Sequence, residues 1–245
     1  MSRFLLFVAV GFLAQLIDGV LGMAYGVSAT SFLLTFGVSP VVASASVHVA
    51  EVVTTGFSGL SHHLFGNVDR KLALRLVIPG VVGAVAGALL LVSIPAETIK
   101  PLIAAYLLVM GIVILTKARK KRPPRDATTH VVPLGLAGGF FDAAGGGGWG
   151  PIVVGTLLAR GNPPRTTIGS VNVAEFFVAL AASLTFVLTI GVSNWQVIAG
   201  LALGGAIAAP IAAWAVRYVS PRPLMIGVGC IVIILSIRTI ILAIA

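Results

Sequence analysis

The stretch DAAGGGGWGPIVV, residues 142–154, decides how this chain folds. Four consecutive glycines, then a fifth before Pro151, will hardly sit in a regular helix: glycine adds backbone entropy, and proline removes an amide donor and clashes with the preceding turn. Yet the run interrupts an otherwise apolar segment, 131–159. An earlier stretch, DGVLGMAYGVSAT at 18–30, has the same layout. Asp18, Gly22 and Gly26 match Asp142, Gly146 and Gly150, and Tyr25 matches Trp149, each pair 124 residues apart (142 − 18 = 124). Further out, Gly37, Pro40, Ser46, Val47, Val49, Ala50 and Glu51 match Gly161, Pro164, Ser170, Val171, Val173, Ala174 and Glu175 at that offset (175 − 51 = 124). The chain therefore reads as two copies of one unit, 1–116 and 131–245, joined by a connector at 117–130.

Composition places both copies in a bilayer. The chain is 58% hydrophobic and 9% charged, and apolar stretches of membrane-spanning length recur along it. The formal net charge of +9 would suggest nucleic acid in a soluble protein, but no basic face carries interleaved aromatics. The basic residues sit in connectors, above all KARKKRPPRDATTH (117–130), which holds six of the 16 lysines and arginines. The positive-inside rule places that connector in the cytoplasm, and the repeated apolar stretches make the chain a multi-pass membrane protein. The start, MSRFLLFVAVGFLAQ, has signal-peptide character, but it belongs to the first repeat and is read as a retained membrane segment. Cys230 stands alone and the histidines form no ligand pattern, so neither a metal nor a cofactor is expected. The absence of a nucleophile–base set argues against an enzyme.

Eight apolar stretches result: about 4–36, 40–65, 72–93 and 98–116, then 131–159, 164–190, 195–216 and 222–244. The fold expected is an all-α polytopic bundle. A continuous helix over 4–36 would be about 50 Å long, too much for a hydrocarbon core of about 30 Å. Each leading stretch is thus either a re-entrant hairpin, giving up to ten passes, or one broken span. With hairpins the second copy is inverted, and Arg70, Lys71, Arg75, the 117–125 cluster, Arg160, Arg165, Arg217 and Arg222 share one side; Arg3, Lys100 and Arg238 do not. With single spans the copies are parallel and the later arginines fall outside. The charge count favours inversion.

Polar residues inside such a bundle are costly, at least ~2.5 kcal/mol for an unpaired charge at mid-bilayer. Ser44, His48, Glu51, Thr55, Ser58 and His62 follow spacings of three and four and form one helical face, which must meet protein or water. The second copy offers Asn172, Glu175 and Ser183. Glu51 and Glu175 are read as proton-coupling or site-lining groups, although an acid on a membrane helix can also serve architecture alone. Asp18 and Asp142 each precede a break, where a carboxylate can satisfy freed backbone amides, and are read as structural. Half-helix N-termini at a glycine break suit an oxyanion, so the substrate-binding candidates are Gly22, Tyr25, Gly26, Gly146, Gly147, Gly148 and Trp149, with Ser46, His48, Ser170 and Asn172 adding side chains. Gly80, Gly83 and Gly87, and Gly200, Gly204, Ala208 and Ala212, have the spacing of close helix packing instead.

The motifs DAAGGGGWGPIVV (142–154) and SVNVAEFF (170–177), with their partners DGVLGMAYGVSAT (18–30) and SVHVAEVV (46–53), resemble the TauE/SafE family of sulfite exporters, the TSUP permeases. The resemblance implies transport of sulfite, sulfoacetate, thiosulfate, organosulfonates or related sulfur compounds across a bacterial cytoplasmic (inner) membrane. With the buried acids, the chain reads as a secondary transporter coupled to protons or the membrane potential. Transport of a different small anion or metabolite, and a passive anion channel, are the alternatives. Neither flux direction nor a homodimer is decided by it. Met23, Ala24 and Tyr25 interrupt the glycine run of the first copy, so the two breaks need not meet substrate equally.

Overall fold

The computed structural model describes residues 2–118, 130–191 and 194–244. These form helices α1 (Ser2–Leu21), α2 (Tyr25–Thr35), α3 (Pro40–Leu64), α4 (Arg70–Ser93), α5 (Ala96–Ala118), α6 (Val131–Gly145), α7 (Gly155–Ala159), α8 (Pro164–Ile190), α9 (Trp195–Ala215) and α10 (Pro221–Ile244). A π-helical turn, Gly150–Val154, leads into α7. Seven of the helices are long and apolar enough to cross a membrane. Most of the basic connector, 119–129, lies outside the described residues.

Local chemistry sets the boundaries. Pro40 and Pro164 occupy the first turn of α3 and α8, where a missing N–H costs nothing. Asp69 caps α4 by accepting the amides of Lys71 at 2.9 Å and Leu72 at 3.2 Å. Gly37 and Gly161 end the segments before α3 and α8 with φ of 83° and 96°, which a side chain would oppose.

Each leading stretch breaks into two helices, and contacts along their lengths show that both fold back. Helix α1 runs parallel to α9: Gly200 meets Phe4 and Phe7, Gly204 meets Val8 and Phe12, and Gly19 meets Ala212. At the far end of α1 the Gly19 carbonyl accepts from His62 Nε2 at 3.1 Å, near the C-terminus of α3. Helix α2 returns: its last residue, Thr35, offers its carbonyl to Arg238 at 3.0 Å, near the opposite end of the bundle. Helix α6 likewise runs parallel to α4, with Gly135 against Pro79 and Gly139 against Gly80, and α7 comes back beside Lys117 at the end where α6 began. Lys117 donates to the Pro151 carbonyl at 2.8 Å, which satisfies an acceptor freed by the π turn.

The two closest helix pairs, α1 with α9 and α4 with α6, thus join residues from opposite halves of the chain. Their glycines make the approach feasible. A Cβ on Gly204 would sit 2.0 Å from the Val8 carbonyl oxygen, and one on Gly83 2.1 Å from that of Leu136. Helices α3 and α8 pack antiparallel at the centre, where Gly59 meets Val173 and the His48 and Phe186 rings lie 6.0 Å apart. The outer faces carry exposed Leu, Ile, Val and Phe, as lipid contact requires.

Chain direction then sorts the charges. Arg70, Lys71, Lys117, Arg160, Arg165 and Arg217 lie at one end of the bundle, with Arg165 and Arg217 both donating to the Phe65 carbonyl, at 2.8 and 2.5 Å. Lys100 and Arg238 lie at the other.

Candidate functional site

The tips of the two hairpins meet inside the bundle. Gly22 at φ 65° and Gly146 at φ 68° turn the chain out of α1 and α6. Asp18 Oδ1 then accepts the amides of Ala24 at 2.8 Å and Tyr25 at 3.1 Å. Asp142 Oδ1 accepts those of Gly148 at 2.8 Å and Trp149 at 2.9 Å. Each carboxylate neutralises the amide end of the returning segment.

Glycine lets the tips touch. Gly26 and Val27 lie against Gly147, where a Cβ would fall 2.3 Å from the Val27 nitrogen. Gly150 abuts Met23, and the Thr30 hydroxyl donates to the Gly146 carbonyl. Glu51 from α3 reaches this crossing, its Oε1 beside Gly26.

His48 lies on the same face of α3. Its Nδ1 faces the Ser44 carbonyl at 2.8 Å, and its Nε2 lies 3.2 Å from Asp142 Oδ2 and 3.9 Å from Glu51 Oε2. These three groups, brought from α3 and α6, have ligating atoms all within 4.8 Å of one another. Asp18, His48, Glu51, Asp142 and Glu175 are each at most 5% exposed, and no Lys or Arg is buried among the described residues. Neither oxygen of Glu51, nor Oε2 of Glu175, has a hydrogen-bond partner.

The sequence candidates separate into groups. Gly26, Gly146, Gly147, His48 and Glu51 converge at the crossing. Gly148 lies just beside it, against the Tyr106 hydroxyl. Asn172 is one layer away, accepting from Ser58 at 2.8 Å and donating to the Ile168 carbonyl at 3.1 Å. Tyr25 and Trp149 anchor the returning segments: the Tyr25 hydroxyl donates to the Leu201 carbonyl and the Trp149 indole to that of Val171, both at 3.2 Å. Gly22 faces Val154 and Ile168. Ser170 accepts the Asp69 amide at 2.7 Å and so fixes the α3–α4 turn. Ser46 lines a narrow crevice with Val42, Val49, Phe186 and Ile190 on the far side of His48.

Two further buried polar groups lie near the breaks, Gln15 beside Gly19 and Tyr106 beside Gly145. Gln15 is fully buried on α1 with neither amide atom paired, and the Tyr106 hydroxyl is unpaired beside Gly148. A lone amide within an apolar span was a readable signal for Gln15. Tyr106 had none, because only tertiary packing of α5 brings it to the break.

A helical membrane bundle with a polar, ionisable centre is the architecture of a polytopic membrane transporter. The family model described as "Sulfite exporter TauE/SafE" matches residues 7–239, and the chain belongs to that family. It is 46% identical to "Probable membrane transporter protein YtnM" of Bacillus subtilis (strain 168), across 98% of this chain and 84% of that protein. It is 25% identical to "Probable membrane transporter protein YdhB" of the same organism, across 75% of this chain and 78% of that protein. No solved structure matches.

Proposed function

We propose that this chain is a secondary transporter of a small sulfur oxyanion, such as sulfite, thiosulfate or an organosulfonate, and that transport is coupled to protons or to the membrane potential. The observation that carries the reading is the meeting of two glycine tips beside His48 and Glu51 in the bundle centre. The two hairpins enter from opposite ends of the bundle and their tips touch beside these ionisable groups, which supports alternating access about that point. The family's description supports the substrate class.

In this reading, residues 1–116 and 131–245 are repeats of inverted orientation, and the 117–130 connector is cytoplasmic. The basic end defined by Arg70, Arg165 and Arg217 faces the same compartment. Four buried carboxyl groups around one histidine would repel an anion unless protons or another positive charge balance them, which makes Glu51 and Glu175 candidate proton carriers. The aspartates already take two amides each, so the anion relies on side chains and on the remaining first-turn donors.

Uptake by proteoliposomes, with sulfite, thiosulfate, sulfate and sulfoacetate compared side by side, tests the assignment. Saturable uptake of at least one sulfur anion is expected. Uptake of none of them, with transport of a sulfur-free solute, would contradict the substrate class.

A further inference from the structure

Positions 48 and 172 are 124 residues apart (172 − 48 = 124) and occupy the same place in the doubled motif, yet their surroundings differ in kind. Asn172 closes a neutral pair with Ser58 and Ile168. His48 has its Nδ1 at 2.8 Å from the Ser44 carbonyl, which can only accept, and the Ser44 hydroxyl, 3.3 Å from Nδ1, already donates to the Ala143 carbonyl at 2.8 Å, so Nδ1 carries a hydrogen. Its Nε2 then faces Asp142 Oδ2 at 3.2 Å, whose other oxygen already holds two amides. A neutral ring in this tautomer would set a lone pair against a carboxylate oxygen at hydrogen-bond distance. A hydrogen on Nε2 removes that conflict, and Glu51 at 3.9 Å gives the resulting imidazolium a second carboxylate neighbour.

We infer that the transporter carries a coupling proton on His48 Nε2, between Asp142 and Glu51, and that the matching Asn172 position carries none. The inference rests on the transporter reading above and deepens it. The titratable groups facing the site are Glu51 on α3, Asp142 on α6, Asp18 on α1, Glu175 on α8, Tyr25 on α2 and Tyr106 on α5; α9, packed along α3, carries no titratable side chain. When His48 loses the proton, the lone pair and the carboxylates together repel an incoming anion. Proton and substrate anion therefore bind together.

The test has two parts. The first uses His48→Asn, which installs the residue the chain itself has at position 172. In proteoliposomes, wild type should accumulate sulfite under an imposed pH gradient and alkalinise the side the substrate leaves. His48→Asn should lose both proton effects, with a tenfold or greater fall in gradient-driven accumulation, and whatever exchange of labelled for unlabelled sulfite remains should no longer vary with pH. Retained gradient-driven accumulation in the variant would overturn the inference. So would wild-type transport that stops with a chelator and returns with a metal ion. The second part needs no substrate: nitrogen-15 NMR of histidine-labelled protein with the exposed His63 and His130 changed to Gln. His62 accepts from Asn67 on Nδ1 and donates from Nε2, so it is a neutral internal reference. His48 should show both ring nitrogens protonated, and a neutral His48 from about pH 5 to about pH 9 would overturn the proposal whatever the substrate proves to be. Absence of any sulfur-anion exchange by wild type, with a doubly protonated His48, would instead count against the substrate assignment alone.

Discussion

Asp18 and Asp142, 124 residues apart, make the same pair of hydrogen bonds: each Oδ1 accepts the amides six and seven residues ahead of it. Their second oxygens diverge. Asp142 Oδ2 meets His48, whereas Asp18 Oδ2 has no partner. One carboxylate is a cap; the other is a cap joined to an ionisable cluster.

Removing either cap should destabilise the bundle. Each buried amide left without an acceptor costs about 1–3 kcal/mol, so Asp142→Ala and Asp18→Ala should each lose about 2–6 kcal/mol. Asn in place of Asp keeps an acceptor and should recover most of that at position 18 but less at 142. Thermal unfolding of the detergent-solubilised protein, followed by fluorescence, measures the difference. Equal recovery at both positions would mean that the Asp142–His48 contact contributes little.

The crossing should tolerate no side chain. Gly147 has φ 146°, and a Cβ there would lie 2.3 Å from the Val27 nitrogen. Gly147→Ala should lower stability by about 1–3 kcal/mol through overpacking and abolish transport. Gly191 has φ 72° but open space around it, so Gly191→Ala should cost only about 1 kcal/mol and leave transport intact. Comparable loss of transport in both would mean that backbone strain, not the tip contact, is what matters.

Glutamine mimics a protonated glutamate. If a proton on the cluster is needed for the anion to bind, wild-type uptake should fall as pH rises, and Glu51→Gln should flatten that fall. Glu175→Gln should flatten it less, because Glu175 is not part of the close grouping with His48. Initial rates of uptake across pH decide this; unchanged profiles in both variants would remove the glutamates from coupling.

The hairpins fix sidedness. In a Cys230→Ser background, cysteines at Phe36 and Trp195, 63% exposed in both cases, should react with an impermeant maleimide from the same side of the membrane, and one at Tyr218 from the other. Single broken spans would instead put positions 36 and 195 on opposite sides.

The bundle itself was legible because composition and the lengths of the apolar stretches leave a lipid-embedded chain no alternative to helix. The glycine runs at 22–26 and 145–150 marked where the leading stretches break, and the charges at Arg70, Arg165 and Arg217 pointed to the fold-back that α1–α2 and α6–α7 make. The spacing of Ser44, His48, Glu51, Thr55, Ser58 and His62 marked a face that is buried throughout. Other features depend on tertiary contact. The pairing of α1 with α9 and of α6 with α4 joins residues that no local pattern connects. Nothing in the doubled motif separates Ser46 and Ser170 from the crossing, and only the packed structure shows that the aspartates use amides otherwise free for an anion. Asp142 and His48 stand 94 residues apart in sequence, so their contact had no local signature.

A carrier of this kind must translocate the anion. The most direct measurement is counterflow: proteoliposomes loaded with unlabelled sulfite, diluted into trace labelled sulfite. Transient, saturable accumulation of label that disappears in Gly147→Ala is the predicted result. Flux that rises linearly with concentration and shows no counterflow, or counterflow undiminished in that variant, would contradict a carrier whose substrate passes between the two glycine tips.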